Sequence, residues 1–496
     1  MKRTLTLILA ALLAALPIVS CGDTHAPISD DGSTPSGGDT TTAVAPAETS
    51  GVPDSLDLGE KTISIWYTTN SVSVAETYVD LNPELTGDVI DDTTFNMNKA
   101  VETKLNCTLE FTNSQVKTSE TGSEIEKLVL AGDDTYDLYH VVQWNGAKYA
   151  GEGYYKNMAN APYISYGKPW WDYKYMKEMT IGEDKIFCLT GDFGIDRTRC
   201  LNCFYYNKSM YNDFYKDPNG LYEEVIDGTW TWDRLRKISA EVYSDLNNDG
   251  KTSRDDRLGL CINDYFHLDS FFYATGARAT TREKDDTPKI ILNNERVVSI
   301  MQDLYKLVFE TEGVYFTGPD YAEDVLNRQH FADGNSMFLP GFFYSAEALR
   351  EMKDDYGIVP FPKYNEEQEN YFSDVHDIVR LMVVPVTCKK VDEVAAVLEE
   401  MAFYGYNNLL PAFYNVVMKN KYARDDVSAE MLDIIRDNCS PEFAHITDLG
   451  SIGYLQRKLI QAKTSDFAST YAQYYPNAQE QLDKFVKVFR EKTQDM

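Results

Sequence analysis

Beyond residue 57 the chain alternates between two hydrophobic periods. Thr62-Ile63-Ser64-Ile65-Trp66-Tyr67 sets apolar side chains at alternate positions, the pattern of a strand, and residues 96–105 follow as a helical segment. A strand-like run from Cys107 to Phe111 comes next. Ile125, Leu128 and Val129 then fall on one helical face, with Gly132 where a C-cap belongs. Residues 137–142 form another strand candidate that ends at Gln143-Trp144-Asn145. The alternation recurs downstream. Residues 203–206 read as a strand, and Thr231-Trp232-Asp233 opens a helix with Leu235, Ile238 and Val242 inward. Val297, Ile300, Met301, Leu304 and Val308 mark a further helix. Residues 378–384 form a near-continuous apolar strand closed by Pro385, and Val394, Val397, Leu398 and Met401 stripe the helix after it. Strands alternating with amphipathic helices predict parallel α/β sheets. No fixed period repeats, which argues against solenoids and propellers.

The first 57 residues follow neither period. Lys2 and Arg3 precede an apolar stretch from Leu5 to Leu16, and Ile18-Val19-Ser20-Cys21 closes it in the grammar of a signal peptide. That ending resembles a bacterial lipobox, which implies cleavage after residue 20 and lipidation of Cys21. An ordinary secretory signal with an incidental cysteine is the alternative. Residues 24–57 are mostly Ser, Thr, Gly, Pro, Ala and Asp with no Phe, Trp or Tyr, too polar to offset their ordering entropy. They read as a tether reaching on the order of 30 Å. No later run reaches about 18 apolar residues, so the lipid is the expected anchor, on the extracellular face of the cell membrane.

Composition narrows the function. Of 496 residues, 47 are basic and 78 acidic, a net charge of −31, which argues against nucleic-acid partners. The length fits about three domains or two large lobes. Rings make up 13% of the chain, a surplus that suits stacking on a flat-faced ligand. Beyond Cys21 there are seven cysteines, an odd number. Cys200 and Cys203 form a lone CxxC with no second pair or nearby His at zinc spacing, so buried thiols are expected there, with a Cys200–Cys203 bridge as the alternative. HExxH, GxSxG and GxGxxG are missing from the sequence and the six histidines are scattered. We therefore expect a binding protein rather than an enzyme, needing no cofactor for chemistry.

Four segments carry a resemblance to a known family. Residues 205–210 (YYNKSM), 231–235 (TWDRL), 331–337 (FADGNSM) and 356–362 (YGIVPFP) resemble, in this order, landmarks of the extracellular solute-binding proteins of ABC importers, specifically the sugar-binding group. The resemblance implies an α/β fold of the two-lobed, type II periplasmic-binding-protein kind, with a ligand cleft between hinge-linked lobes. One lobe would comprise residues 58–190 and about 364–420, the other 191–363 and about 421–496. Crossings would fall near 187–193, 362–373 and 412–421. Residues 161–179 look inserted relative to compact members. The implied partners are a carbohydrate, most simply an oligosaccharide, and the transmembrane subunits of an ABC permease, with the receptor itself monomeric.

A pyranose needs an aromatic face for its CH side and Asp, Asn, Gln or Arg for its hydroxyls. In open α/β sheets ligands sit beyond the carboxyl ends of strands. The ligand candidates are therefore Trp66 and Tyr67, then Gln143, Trp144 and Asn145, then Asp192, Asp196 and Arg197. By family analogy Tyr265, Asp269, Phe342 and Tyr344 come from the second lobe, with Asp374 and His376 near a hinge. For each, core packing or plain surface is the competing reading. Trp144 stands out, because flanking Gln and Asn supply both kinds of contact. Trp170-Trp171 either lines the cleft or pins the inserted loop.

Residues 245–256 have calcium-loop spacing. Asp245, Asn247 and Asp249, the Lys251 carbonyl, Ser253 and Asp256 present oxygens around a turning Gly250. The loop is similar to that of dockerins, in which position 12 is also Asp, although the duplication a dockerin needs is missing. One structural Ca2+ is the expectation and an Asn/Asp-rich surface turn the alternative. Gly250-Lys251-Thr252 also mimics a phosphate loop, but Asp245 stands where its first Gly belongs and would repel phosphate.

Overall fold

The computed structural model describes residues 48–69, 80–263, 266–318, 321–418 and 426–494. Its strands in chain order are β1 (Lys61–Thr68), β2 (Cys107–Ser114), β3 (Leu138–Val142), β4 (Cys188–Leu189), β5 (Asn202–Asn207), β6 (Leu258–Ile262), β7 (Thr280–Arg282), β8 (Pro288–Ile290), β9 (Val314–Phe316), β10 (Ser336–Phe342), β11 (Tyr356–Val359) and β12 (Arg380–Val383). They build two five-stranded sheets, ordered β2-β1-β3-β12-β4 and β11-β5-β10-β6-β9, and a hairpin of β7 and β8.

The expected parallel sheets are in fact mixed. β1 pairs in parallel with β2 and β3, and β6 in parallel with β9 and β10. β12 runs against β3 and β4, and β5 runs against β10 and β11. Both exceptions are strands that enter directly from the other sheet. A parallel neighbour needs a crossover returning the chain to the same end, a constraint that a strand arriving from elsewhere does not carry. The chain passes between the sheets through residues 190–201 and 360–379. The third expected passage, 412–421, runs partly outside the described residues.

Helix starts follow local chemistry. Thr231 caps Trp232–Val242 by accepting the Arg234 amide at 3.4 Å. Gly132 lies at φ +70° just past Thr121–Leu130. Gly259 lets β6 approach the Trp232–Val242 helix, because a Cβ there would stand 2.2 Å from the Ser239 Cα. One core joins β5, β6 and β10 to the helices carrying Trp232, Phe271, Ile300 and Leu459. Another joins β1, β2 and β12 to Met97, Val397 and Met401. A third, including Trp66, Tyr139, Tyr205 and Phe489, runs between the two sheets.

The inserted stretch belongs to the first sheet's side. Trp170 is fully buried against Phe403, with ring centroids 5.2 Å apart, and Trp171 donates its indole N–H to Glu399 at 2.7 Å. These rings pin the loop. All seven described cysteines are free thiols, and burial pushes Cys200 up to about 12. Among the described residues no helix is long and apolar enough to cross a membrane.

Candidate functional site

A cavity of about 420 Å³ opens where the helix Gln143–Gly151, which follows β3, meets the helices Phe443–Thr447 and Leu455–Gln461. The latter helix packs on Phe266–Ala274 and Glu295–Phe309 beside the second sheet, so the cavity draws on elements of both sheets. Asp377, from the passage between β11 and β12, lines it as well. Helix formation begins at Gln143 directly after the buried strand, with no side-chain cap from Val142. This abrupt start leaves Trp144 half-buried at the cavity wall while its neighbours turn inward. Gln143 lines the cavity and accepts a hydrogen bond from the Tyr175 hydroxyl. Asn145 points away and donates to Thr121 Oγ1 at 3.0 Å.

Opposite Trp144 stands a charged network. The two nitrogens of buried His445 face two carboxylates: Nδ1 lies 3.2 Å from Asp374 and Nε2 3.5 Å from Asp269. Burial alone would lower the His445 pKa, but Asp374 and Asp269 override it and raise it well above the ordinary imidazole value. Arg457 closes on both oxygens of Asp269, with Nε 2.8 Å from Oδ1, and lies over the Tyr454 ring at 4.5 Å. Burial would raise the Asp269 pKa, but Arg457 and His445 hold it below the usual carboxylate range. Burial likewise opposes ionisation of Asp377, and His376, 2.8 Å away, outweighs it and keeps the carboxyl low. The cavity thus presents one indole among fixed charges and amide groups, the kind of lining that suits a polar solute.

The remaining candidates lie elsewhere. Trp66 and Tyr67 sit on β1 but are 4% exposed. Trp66 packs on Tyr139, and the Tyr67 hydroxyl donates to Asp80 at 2.7 Å. Both differ from the expectation of cleft residues because β1 is flanked by β2 and β3 and its side chains on both faces are buried. Asp192 is buried against Arg436 at 3.0 Å, and burial pushes its carboxyl up to about 6 despite the guanidinium. Asp196 lies 3.7 Å from His140 and 3.5 Å from Arg380, and Arg197 pairs with Asp172 at 3.0 Å. These three hold the passage between the sheets. Gly405 enables that packing, since a Cβ there would fall 1.6 Å from the Asp192 carbonyl oxygen.

At the end of β10, Phe342 and Tyr344 stack on each other with centroids 5.3 Å apart and planes at 17°, and Phe266 and His376 close over Phe342 at 4.9 Å each. Asp269 and Asp374 enter the site only through His445 and Arg457. Tyr265 lies outside the described residues, as does Cys21. In the 245–256 loop the acidic side chains bond the backbone: Asp245 accepts from Asn248 and Gly250, Asp249 from Lys251, and Asp256 from Leu246 and Ser253. Asn247 accepts from the Asp249 amide. Among the described residues no three His, Cys, Asp or Glu side chains group as a metal site.

Sequence reasoning missed Asp377, His445, Tyr454 and Arg457. A partial signal was present for Arg457. Leu455, Leu459 and Ile460 form the buried face of their helix, leaving Arg457 and Lys458 on another.

No family model and no curated protein matches the chain. Solved structures do. The GacH receptor of Streptomyces glaucescens, determined unliganded and with acarbose, aligns at a TM-score of 0.52 and 12% identity, over 88% of this chain and 99% of that one. A cyclo/maltodextrin-binding protein complexed with maltotetraose gives 0.53 and 14%, over 90% and 100%. The maltose/maltodextrin-binding domain MalE from Bdellovibrio bacteriovorus, bound to maltotriose, gives 0.52 and 16%, over 86% and 100%. At such identities the likeness is one of fold. The chain has the two-lobed α/β architecture of type II periplasmic binding proteins.

Proposed function

We propose that this protein is the carbohydrate-binding component of an ABC importer, holding an oligosaccharide between its lobes and releasing it unaltered. The observation that carries the reading is Trp144, a half-buried indole at the wall of a cavity built from helices beside both sheets and ringed by hydrogen-bonding groups. An indole covers the apolar face of a pyranose, and Gln143, Asp377, Arg457 and Gln461 offer donors and acceptors to its hydroxyls. The sugars bound to the structural neighbours support the same class of ligand. A micromolar dissociation constant corresponds to about −8 kcal/mol, which a few stacked and hydrogen-bonded contacts supply after ordering costs.

The chain would be secreted, lipidated at Cys21 and carried as a monomer on its tether at the outer face of the cell membrane, where it delivers ligand to permease subunits. It would perform no bond cleavage. Calorimetric titration with malto-oligosaccharides, other oligosaccharides, peptides and polyamines tests the ligand class. Heat from a sugar that disappears in Trp144→Ala supports the reading. Heat from peptides or polyamines alone overturns it, and product released from a chromogenic glycoside would make the protein a glycosidase. Absence of any ligand response would favour an adhesin. Mass spectrometry of the membrane-bound protein tests Cys21 lipidation.

We also propose one structural Ca2+ held by Asp245, Asn247, Asp249, the Lys251 carbonyl, Ser253 and Asp256. A bound ion would raise the melting temperature on calcium addition, an effect lost in Asp249→Ala.

A further inference from the structure

The two sheets are joined by more than their connecting chain. The β7–β8 hairpin belongs to the second sheet's side: Ala279 and Ile290 sit in that core, and Thr280 donates its amide to buried Glu442 at 2.8 Å. The short helix Tyr173–Glu178 belongs to the first sheet's side, where Met176 enters the core of β1 and β12. The hairpin and the loop after this helix meet through polar contacts. Arg278 and Arg282 reach Glu178 Oε1 and Oε2 at 2.9 and 3.4 Å. Arg282 also donates to the carbonyls of Glu178 and Thr180 at 2.9 and 2.8 Å, and the Gly182 amide donates to Asp286 at 2.7 Å.

A long helix, Phe467–Thr493, reinforces the junction. Leu482 lies in the second sheet's core, whereas Phe489 is fully buried in the core between the sheets, 5.6 Å from Phe187. Arg490 on this helix pairs with hairpin residue Asp285 at 2.8 Å, and Lys185 donates to the Thr493 carbonyl at 2.7 Å.

We propose that this assembly is a clasp that sets the resting angle between the lobes. Charged and carbonyl contacts make up its hairpin half, and such contacts break and reform without exposing a core. Two guanidiniums anchored on one side meet a single carboxylate on the other, so rotation of the lobes past each other must break contacts at Glu178. The inference rests on the two-lobed fold and not on the identity of the ligand.

The test is a dye-pair distance measurement on the ligand-free full chain, with labels at Leu130→Cys and Ile226→Cys in a Cys439→Ser background. Leu130 is 71% and Ile226 53% exposed, on opposite sides of the junction. Glu178→Gln and Arg282→Gln are each expected to shift or broaden the distance distribution at an unchanged melting temperature. Distributions that superimpose on wild type in both variants overturn the clasp. A shift seen only with a lowered melting temperature overturns it too, because damage to one lobe would then account for the change.

Discussion

The ends of β3 and β10 pose the same local question and answer it differently. Each strand runs buried to its carboxyl end and delivers aromatic residues at or just beyond it, Trp144 in one case, Phe342 and Tyr344 in the other. After β3 the chain turns at once into a helix and leaves the indole half-buried at the cavity. After β10 the rings stack on each other and are capped by Phe266 and His376, so that Phe342 is 2% and Tyr344 3% exposed. A ring past a strand stays accessible only when the protein's own rings do not already cover its face. Each end also has a buried histidine nearby: His140 on β3 lies 3.7 Å from Asp196, and His267 lies 3.7 Å from Asp324.

The comparison breaks most sharply at Phe342. Phe342→Ala is expected to cost about 3–5 kcal/mol of stability in urea unfolding, as for other buried aromatics. A loss near zero would mean that its ring faces the cleft after all.

The histidines predict acid sensitivity. Burial lowers His140 to about 4 and His267 to about 3, from about 6.5 in an unfolded chain. Below pH 6.5 the unfolded chain therefore binds more protons at these two positions than the native one. Their contribution to stability is full above that pH and falls as pH drops toward 4, by up to about 3 kcal/mol for His140, whereas His445, held protonated by Asp374 and Asp269, contributes in the opposite sense above pH 6.5. Unfolding curves at pH 7, 5.5 and 4.5 check the slope, and His140→Gln should flatten it.

Trp144→Ala is expected to leave urea stability within about 1 kcal/mol of wild type and to weaken sugar binding roughly 10- to 100-fold, about 1.4–2.8 kcal/mol. Equal losses of stability and affinity would make it another structural ring. Asn145→Ala sharpens the contrast next door. It should cost about 1 kcal/mol of stability through the lost Thr121 contact, with little direct effect on affinity.

Much of this was legible beforehand. The period-two runs located β1, β3 and β5, the Thr231 cap located a helix start, and the order of four short landmarks pointed to the two-lobed fold. Trp144 was singled out on its flanking Gln and Asn, which supply both kinds of sugar contact, and it stands at the cavity wall. Its partners were not singled out. Asp377, His445 and Arg457 sit 233 or more residues away along the chain, in segments whose local pattern says only helix or loop.

The sequence by itself determined the elements, because helix and strand periods, caps and turn residues act over a few neighbouring positions. It also determined the strong negative charge, which is a property of composition. Tertiary structure alone decided which aromatic faces were left uncovered and which carboxylates met a cation. Those outcomes depend on burial and on distances of a few ångströms between residues far apart in the chain, and no local period encodes them.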